Sequence, residues 1–222
     1  MSLDVLLRYL PALAGGFAVT VLCWSLGSLI GLGLGFTLAL LRRLPFPPLR
    51  WVSRAYVEIL RGTPFLMQLF LLYAGGPFVG LKLSATAAGI IGLGLYSSAY
   101  FAEIFRAGFA AVPHGQIEAA ASVGMRPSDI LFRIMLPSAL VATIPSIINM
   151  LVILSKETVV LSIITVPELM YQMQTMAAET FTAFDAIFAM AVFYWLLVEA
   201  VSRVGRWLEV KLTAFIARAG PA

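Results

Sequence analysis

Charge is scarce in this sequence: Asp, Glu, Lys and Arg make up 12% of its 222 residues, against 61% hydrophobic residues. That balance is too apolar for a soluble domain of this length and points to a bilayer. The one cysteine, Cys23, sits in an apolar run, which excludes an intrachain disulfide and any cysteine-based metal framework. The one histidine, His114, cannot supply a metal cluster either. Also missing are a Ser/His/Asp set and a glycine loop ending in Gly-Lys-Ser/Thr, so the chain reads as non-catalytic, with no cofactor and no ATP site of its own. The formal charge of +4 is not gathered into an aromatic-laced basic patch, which argues against a nucleic-acid partner. With no low-complexity tract, heptad run or internal repeat, residues 1–222 read as a single transmembrane domain.

What the sequence does have is long charge-free runs. At about 1.5 Å of helix rise per residue, about 20 apolar residues cross the hydrocarbon core. Span one is predicted over Leu10–Leu41; the short start before it, holding Asp4 and Arg8, reads as retained rather than as a removed leader. Gly27, Gly31 and Gly35 fall on one face of this span at four-residue spacing, which predicts a packing surface. Arg42, Arg43, Arg50 and Arg54 cluster with Pro45, Pro47 and Pro48 in the next connection, which the positive-inside rule places in the cytoplasm. Further spans are predicted over Trp51–Tyr73, Ser84–Phe109, Leu136–Ser155 and Phe184–Arg203, the last delivering Arg203, Arg206, Lys211 and Arg218 to the cytoplasm. The segment Lys156–Thr182, with Glu157, Glu168 and Glu179 against one lysine, suits the external face. Its apolar stretch Val159–Val166 predicts a short helix at or dipping into the outer leaflet, ended by Pro167. The expected fold is an all-α integral membrane protein with five transmembrane helices, N-terminus outside and C-terminus cytoplasmic.

Ionisable side chains inside spans are costly unless paired or hydrated. Glu58 with Arg61, and Glu103 with Arg106, are spaced i, i+3, so each pair shares a helix face and predicts intramembrane ion pairs, within spans or crosswise between them. The competing reading turns one or two of these residues toward a substrate cavity. Arg61-Gly62-Thr63-Pro64 interrupts span two, because Pro64 removes a helix hydrogen bond and the freed groups must line a cavity or be buried in protein. Thr63, Gln68 and Tyr73 flank that break, and Gln68 is a candidate either for touching substrate or for an interhelix hydrogen bond. Asn149, deep in span four, needs a neighbouring helix or a substrate to bond. Lys156 and Glu157 at the outer end of that span either offer opposite charges to a zwitterion or anchor the helix at the interface. The candidate pathway residues are thus Arg61, Thr63, Gln68, Glu103, Arg106, Asn149, Lys156 and Glu157.

Between spans three and four lies Glu118-Ala119-Ala120, followed by Gly124, Ile134, Leu136 and Pro137. Glu118–Val123 is small and helix-favouring, so a partner surface can approach its backbone, and Gly124 permits a left-handed C-cap. Pro127 forbids continuation, and Ser128 is expected to cap the next helix. The result is an exposed helical knob that runs on through Met125 and Arg126.

The pattern Glu-Ala-Ala, three residues, Gly, nine residues, Ile, one residue, Leu-Pro resembles the cytoplasmic loop of bacterial ABC importer permeases. Arg61-Gly62-Thr63-Pro64 through Gln68-Leu69-Phe70, Ser98 through Gly108, Pro113-His114-Gly115-Gln116 and Ser155-Lys156-Glu157-Thr158 look like the permeases of polar amino acid ABC importers. One departure is Glu157, where that family more often carries Asp followed by Ser or Thr and a further Ser. The resemblance implies a type I ABC importer permease-like fold in the bacterial cytoplasmic membrane. It also implies a cytoplasmic coupling helix between spans three and four, in the loop Glu118 to Pro137. Glu118, Ala119, Ala120, Gly124, Met125 and Arg126 would then be the ATPase-coupling residues. The implied partners are two ABC ATPase subunits carrying ATP and Mg, a second permease copy or homologous permease, an extracytoplasmic amino acid binding protein, the substrate and membrane lipid. The alternative is a stand-alone ion-coupled carrier or channel using Glu58, Glu103 and their arginines as a relay. A scaffold without a pathway is disfavoured by the broken second span and by Asn149.

Overall fold

The computed structural model describes the backbone of residues 3–219 and the side chains of residues 4–211. Every regular element among them is helical. In chain order the α-helices are α1 (Leu3–Leu41), α2 (Pro47–Gly62), α3 (Phe65–Tyr73), α4 (Ala85–Ala110), α5 (His114–Ser122), α6 (Pro127–Asp129), α7 (Leu136–Glu157), α8 (Leu169–Thr180) and α9 (Ala183–Ala219), with a short 3-10 helix, Gly76–Val79, between α3 and α4. A π turn, Ile130–Met135, joins α6 to α7, and α7 tightens into a 3-10 stretch over Thr158–Ile164. Four segments are long and apolar enough to cross a membrane: Asp4–Leu41, Ala85–Ala110, Pro127–Ile164 and Ala183–Lys211.

α4 is the hub. It packs most extensively on α1 and also meets α2, α3 and α7. The α1–α4 seam exists because its residues are small at regular spacing: Gly27 lies over Leu93, Gly31 over Ser97 and Gly35 over Phe101, a four-residue stripe on each helix. A Cβ on Gly35 would sit 2.6 Å from the Phe101 Cβ and 2.8 Å from the Ser98 carbonyl oxygen, so the backbones are as close as the sequence allows. Lipid tails are as apolar as leucine, so close packing of this kind, rather than escape from water, is what holds membrane helices together. Trp24 adds a directed tie, its indole N–H donating to the Leu151 carbonyl at 2.9 Å and pinning α1 to α7.

The predicted crossing from Trp51 to Tyr73 is two helices of 16 and 9 residues, neither of them long enough to rank with the four spans. The break falls at Thr63 and Pro64, both in extended backbone. Pro127 opens α6 at its first position with Arg126 as N-cap, so Ser128 is inside the first turn and caps nothing. Proline's fixed φ suits that first position, where its missing N–H costs nothing.

The segment 156–182 departs furthest from expectation. The apolar stretch does form a short helix that ends before Pro167, as a continuation of α7, but a further helix, α8, follows it. Glu168, expected among the charges of the external face, is completely buried at the N-cap of α8. Arg218 falls on α9 outside the described side chains.

Candidate functional site

The candidate site grows out of the break between α2 and α3. Loss of the helix ladder at Pro64 strands carbonyls at the end of α2, and Gln68 answers them: its Nε2 donates to the Leu60 carbonyl at 2.7 Å, the Thr63 carbonyl at 3.1 Å and Thr63 Oγ1 at 2.9 Å. Of the two roles open to Gln68, its amide nitrogen is thus committed to the backbone of the break, while its Oε1 is buried without a hydrogen-bond partner. Thr63 and Gln68 line an apolar cavity with Ile59, Met67 and Leu71, apart from the charged residues.

Those charged residues converge on the other side of α2. Arg61, Tyr100, Glu103, Arg106 and Asn149 line a cavity of about 930 Å³ between α2, α4 and α7. An adjoining cavity of about 680 Å³ shares Arg61, Tyr100, Glu103 and Arg106 and adds Glu58, Arg42 and Arg54. Five of the seven predicted pathway and ion-pair positions on α2, α4 and α7 therefore meet in one crevice, while Lys156 and Glu157 at the end of α7 line neither cavity.

Of the two expected i, i+3 pairs, Glu103 with Arg106 forms and Glu58 with Arg61 does not. Glu103 binds Arg106 at 2.8 Å, and its other oxygen takes Arg42 from the end of α1. Glu58 and Arg61 do not pair with each other or crosswise among the described residues. Arg61 instead lies over the Tyr100 ring, 5.4 Å from its centroid, a cation–π contact that holds the guanidinium while leaving its donors free. The physical reason is reach: Arg42 projects from a turn and can approach Glu103 end-on, whereas i, i+3 spacing guarantees only a shared face. Tyr100 and Arg42 escaped the sequence reading. Tyr100 stands three residues before Glu103, the one signal that could have placed it at the site.

The knob between α4 and α7 is closed by its glycine. Gly124 has φ +80°, its N–H donates to the Ala121 carbonyl at 3.0 Å, and the Met125 N–H donates to the Ala120 carbonyl at 3.2 Å. These two bonds are the Schellman pattern that satisfies the last carbonyls of a helix. Glu118, Ala119, Gly124 and Arg126 are exposed and Met125 is half-buried, but Ala120 is buried against the chain's own core, with Ile130 and Met135 in the same cluster. The two alanines, about 100° apart on the helix, therefore have different surroundings, one open and one packed.

Residues 31–214 match the family described as the inner membrane component of binding-protein-dependent transport systems. The chain belongs to that family. It is 34% identical over 212 residues to the probable glutamine ABC transporter permease protein GlnM of Bacillus subtilis, covering 96% of this chain and 98% of that one. It is 36% identical to the probable amino-acid ABC transporter permease protein PatM of Vibrio harveyi, over 95% of this chain and 92% of the relative. The crystal structure of an amino acid ABC transporter superimposes with a TM-score of 0.88 at 32% identity, covering 95% of this chain and all of that one. An inward-facing methionine ABC transporter, at 21% identity and TM-score 0.71, shares the fold. This permease is thus an integral membrane transport component, and its crevice and knob are features of a transporter subunit.

Proposed function

We propose that the chain is the permease subunit of an ATP-driven importer of a polar amino acid in the bacterial cytoplasmic membrane, a single transmembrane domain over residues 1–222. The supporting observation is the pairing of an exposed knob with a charged crevice in a chain of this family. α5 ends in a glycine-closed cap that presents Glu118, Ala119 and Gly124 outward. α4 and α7, which flank the knob, are also the helices that wall the crevice with Glu103, Arg106 and Asn149. A force on the knob therefore acts on the walls of the pathway.

In this reading α2 and α3 together make a fifth crossing, the N-terminus is outside and the C-terminus and α5 are cytoplasmic. Two ABC ATPase subunits hold ATP and Mg and grip α5 as the coupling helix; the permease binds no cofactor. A second permease, identical or homologous, completes the pathway, and an extracytoplasmic amino acid binding protein delivers the substrate. Unpaired Glu58 and Arg61 on one wall of the crevice suit a zwitterion, and the substrates in the relatives' names, glutamine and amino acids in general, share that head group. ATP need bias two conformations by only a few kcal/mol to reverse which side is open.

The test is a crosslink from Ala119→Cys, chosen because Ala119 is exposed where Ala120 is not. It is expected to capture a nucleotide-hydrolysing subunit in native membranes; failure to do so, or labelling of α5 by an impermeant reagent from outside intact cells, refutes the reading. Amino acid flux through the purified chain alone in liposomes would instead favour a stand-alone carrier.

A further inference from the structure

A third cavity, about 410 Å³, lies beside the crevice and is lined by Arg42, Pro47, Arg50, Trp51, Arg54 and Arg106. Four of its six lining residues are arginines. Arg42 and Arg106 share a single carboxylate, Glu103, and neither Arg50 nor Arg54 has a carboxylate partner among the described residues. Arg42 is 13% exposed and its Nε is buried without a hydrogen-bond partner. The cavity also sits at the start of α2, a helix of 16 residues with no side-chain cap, whose N-terminus adds a partial positive charge. Positive charge of this density in one concave site calls for an anion with several acceptor oxygens, which arginine forks suit best.

The rim says where that anion comes from. Trp51 is 74% exposed, and Phe46 and Val52, flanking the pocket in sequence, are also exposed. Arg50 and Arg54 lie one turn apart on α2, Trp51 stands three residues before Arg54 and lines the pocket beside them, and Val52 falls outside the lining on the next side of the same helix. A free anion would leave this apolar rim in water. A headgroup carrying acyl chains satisfies both halves, and tryptophan beside arginine at a span end is the usual composition of the membrane interface.

We propose that the pocket formed by Arg42, Arg50, Arg54, Arg106, Pro47 and Trp51 binds the phosphate of an anionic phospholipid, whose acyl chains lie along Trp51 and Val52. No covalent step is involved, and the proposal does not depend on the transport reading, since it can be tested on the purified chain.

The full-length chain is purified in detergent, mixed with equal amounts of dioleoylphosphatidylglycerol and dioleoylphosphatidylcholine, and the retained lipid is measured by native mass spectrometry. Phosphatidylglycerol is expected to be retained several-fold over phosphatidylcholine. Arg50→Gln with Arg54→Gln is expected to cut that preference about tenfold or more, since two interfacial cations are removed, while Arg50→Lys with Arg54→Lys keeps part of it. Arg203→Gln on α9 leaves the preference unchanged, and coincident elution on gel filtration shows that the variants are folded. Equal retention of the two lipids, or full retention by the double glutamine variant, overturns the proposal. Complete displacement of phosphatidylglycerol by millimolar inorganic phosphate makes the pocket a free-phosphate site, and loss of a copurifying protein without loss of lipid makes it a protein contact; either also overturns it.

Discussion

The hydroxyl of Thr20 lies 3.2 Å from a carboxylate oxygen of Glu168 across 148 residues of chain, and the same hydroxyl accepts the N–H of Leu169 at 3.0 Å. The other carboxylate oxygen of Glu168 accepts the Tyr171 N–H at 2.9 Å, so one buried side chain caps α8 and ties it to α1. Burial pushes this carboxyl up to about 7, against the pull of its hydrogen bonds to Met170, Tyr171 and Thr20. The folded value lies above the ordinary carboxyl value of about 4.3. Folding therefore favours the protonated form, and the stability it contributes is fully present below about 4.3 and lost as pH rises through about 7. Amide exchange at the start of α8 is expected to speed up between pH 5 and 8 beyond its intrinsic base catalysis. Glu168→Gln, which keeps an acceptor for the cap, should abolish that excess; an unchanged excess in the variant contradicts this account.

Two glycines on α1 should respond oppositely to alanine. A Cβ at Gly35 meets Phe101 and the backbone of Ser98, whereas one at Gly33 meets nothing within 4 Å. Gly35→Ala is expected to destabilise the purified protein by about 1–3 kcal/mol through forced separation of α1 and α4. Gly33→Ala should be neutral or slightly stabilising because it removes a helix-interior glycine. Thermal melts in one detergent compare them directly.

Glu103 serves two arginines, so its loss should cost more than the loss of either. Glu103→Gln leaves Arg42, which is 13% exposed, beside an uncharged amide. A penalty of about 1–3 kcal/mol is expected, below the full cost of breaking a buried pair because Arg106 is largely exposed. Combining Glu103→Gln with Arg42→Gln should recover part of it. A double-mutant cycle with no interaction energy between the two positions would show that the contact contributes nothing.

Gly124 has open space around it, so its constraint is conformational alone. At φ +80° an alanine is strained by roughly 1 kcal/mol, and the Schellman cap should fray. Gly124→Ala is expected to leave the melting temperature of the spans nearly unchanged while, under the proposed coupling role of α5, lowering ATP-dependent uptake in membrane vesicles. Gly124→Asn, which tolerates the left-handed region better, should lie between. Equal uptake by all three would mean the cap geometry is irrelevant to transport.

Much of the architecture was legible because it rests on local chemistry. The stripe of Gly27, Gly31 and Gly35, the break at Pro64 and the cap at Gly124 each follow from what a missing Cβ or a missing N–H permits, and all three are present. What was not legible depends on which distant group arrives first. Glu58 and Arg61 share a face, yet Arg61 is held by Tyr100 from α4, and Arg42, read as a loop charge, reaches Glu103. α8 was missed because its 12 residues are too short and mixed for a hydropathy signal. Glutamate is not a favoured N-cap residue, so no local pattern marked the start of α8, and only burial turned Glu168 from a charge expected at the external face into a cap locked between helices.

The π turn at Ile130–Met135 lies between the knob and the crevice. Such a turn holds one residue more than an α turn, so the chain on its two sides is offset by about 100° of rotation. That single insertion sets the compass bearing of α5 relative to Asn149. Excising one residue there would leave each rod intact and aim the handle at a different quarter of the horizon.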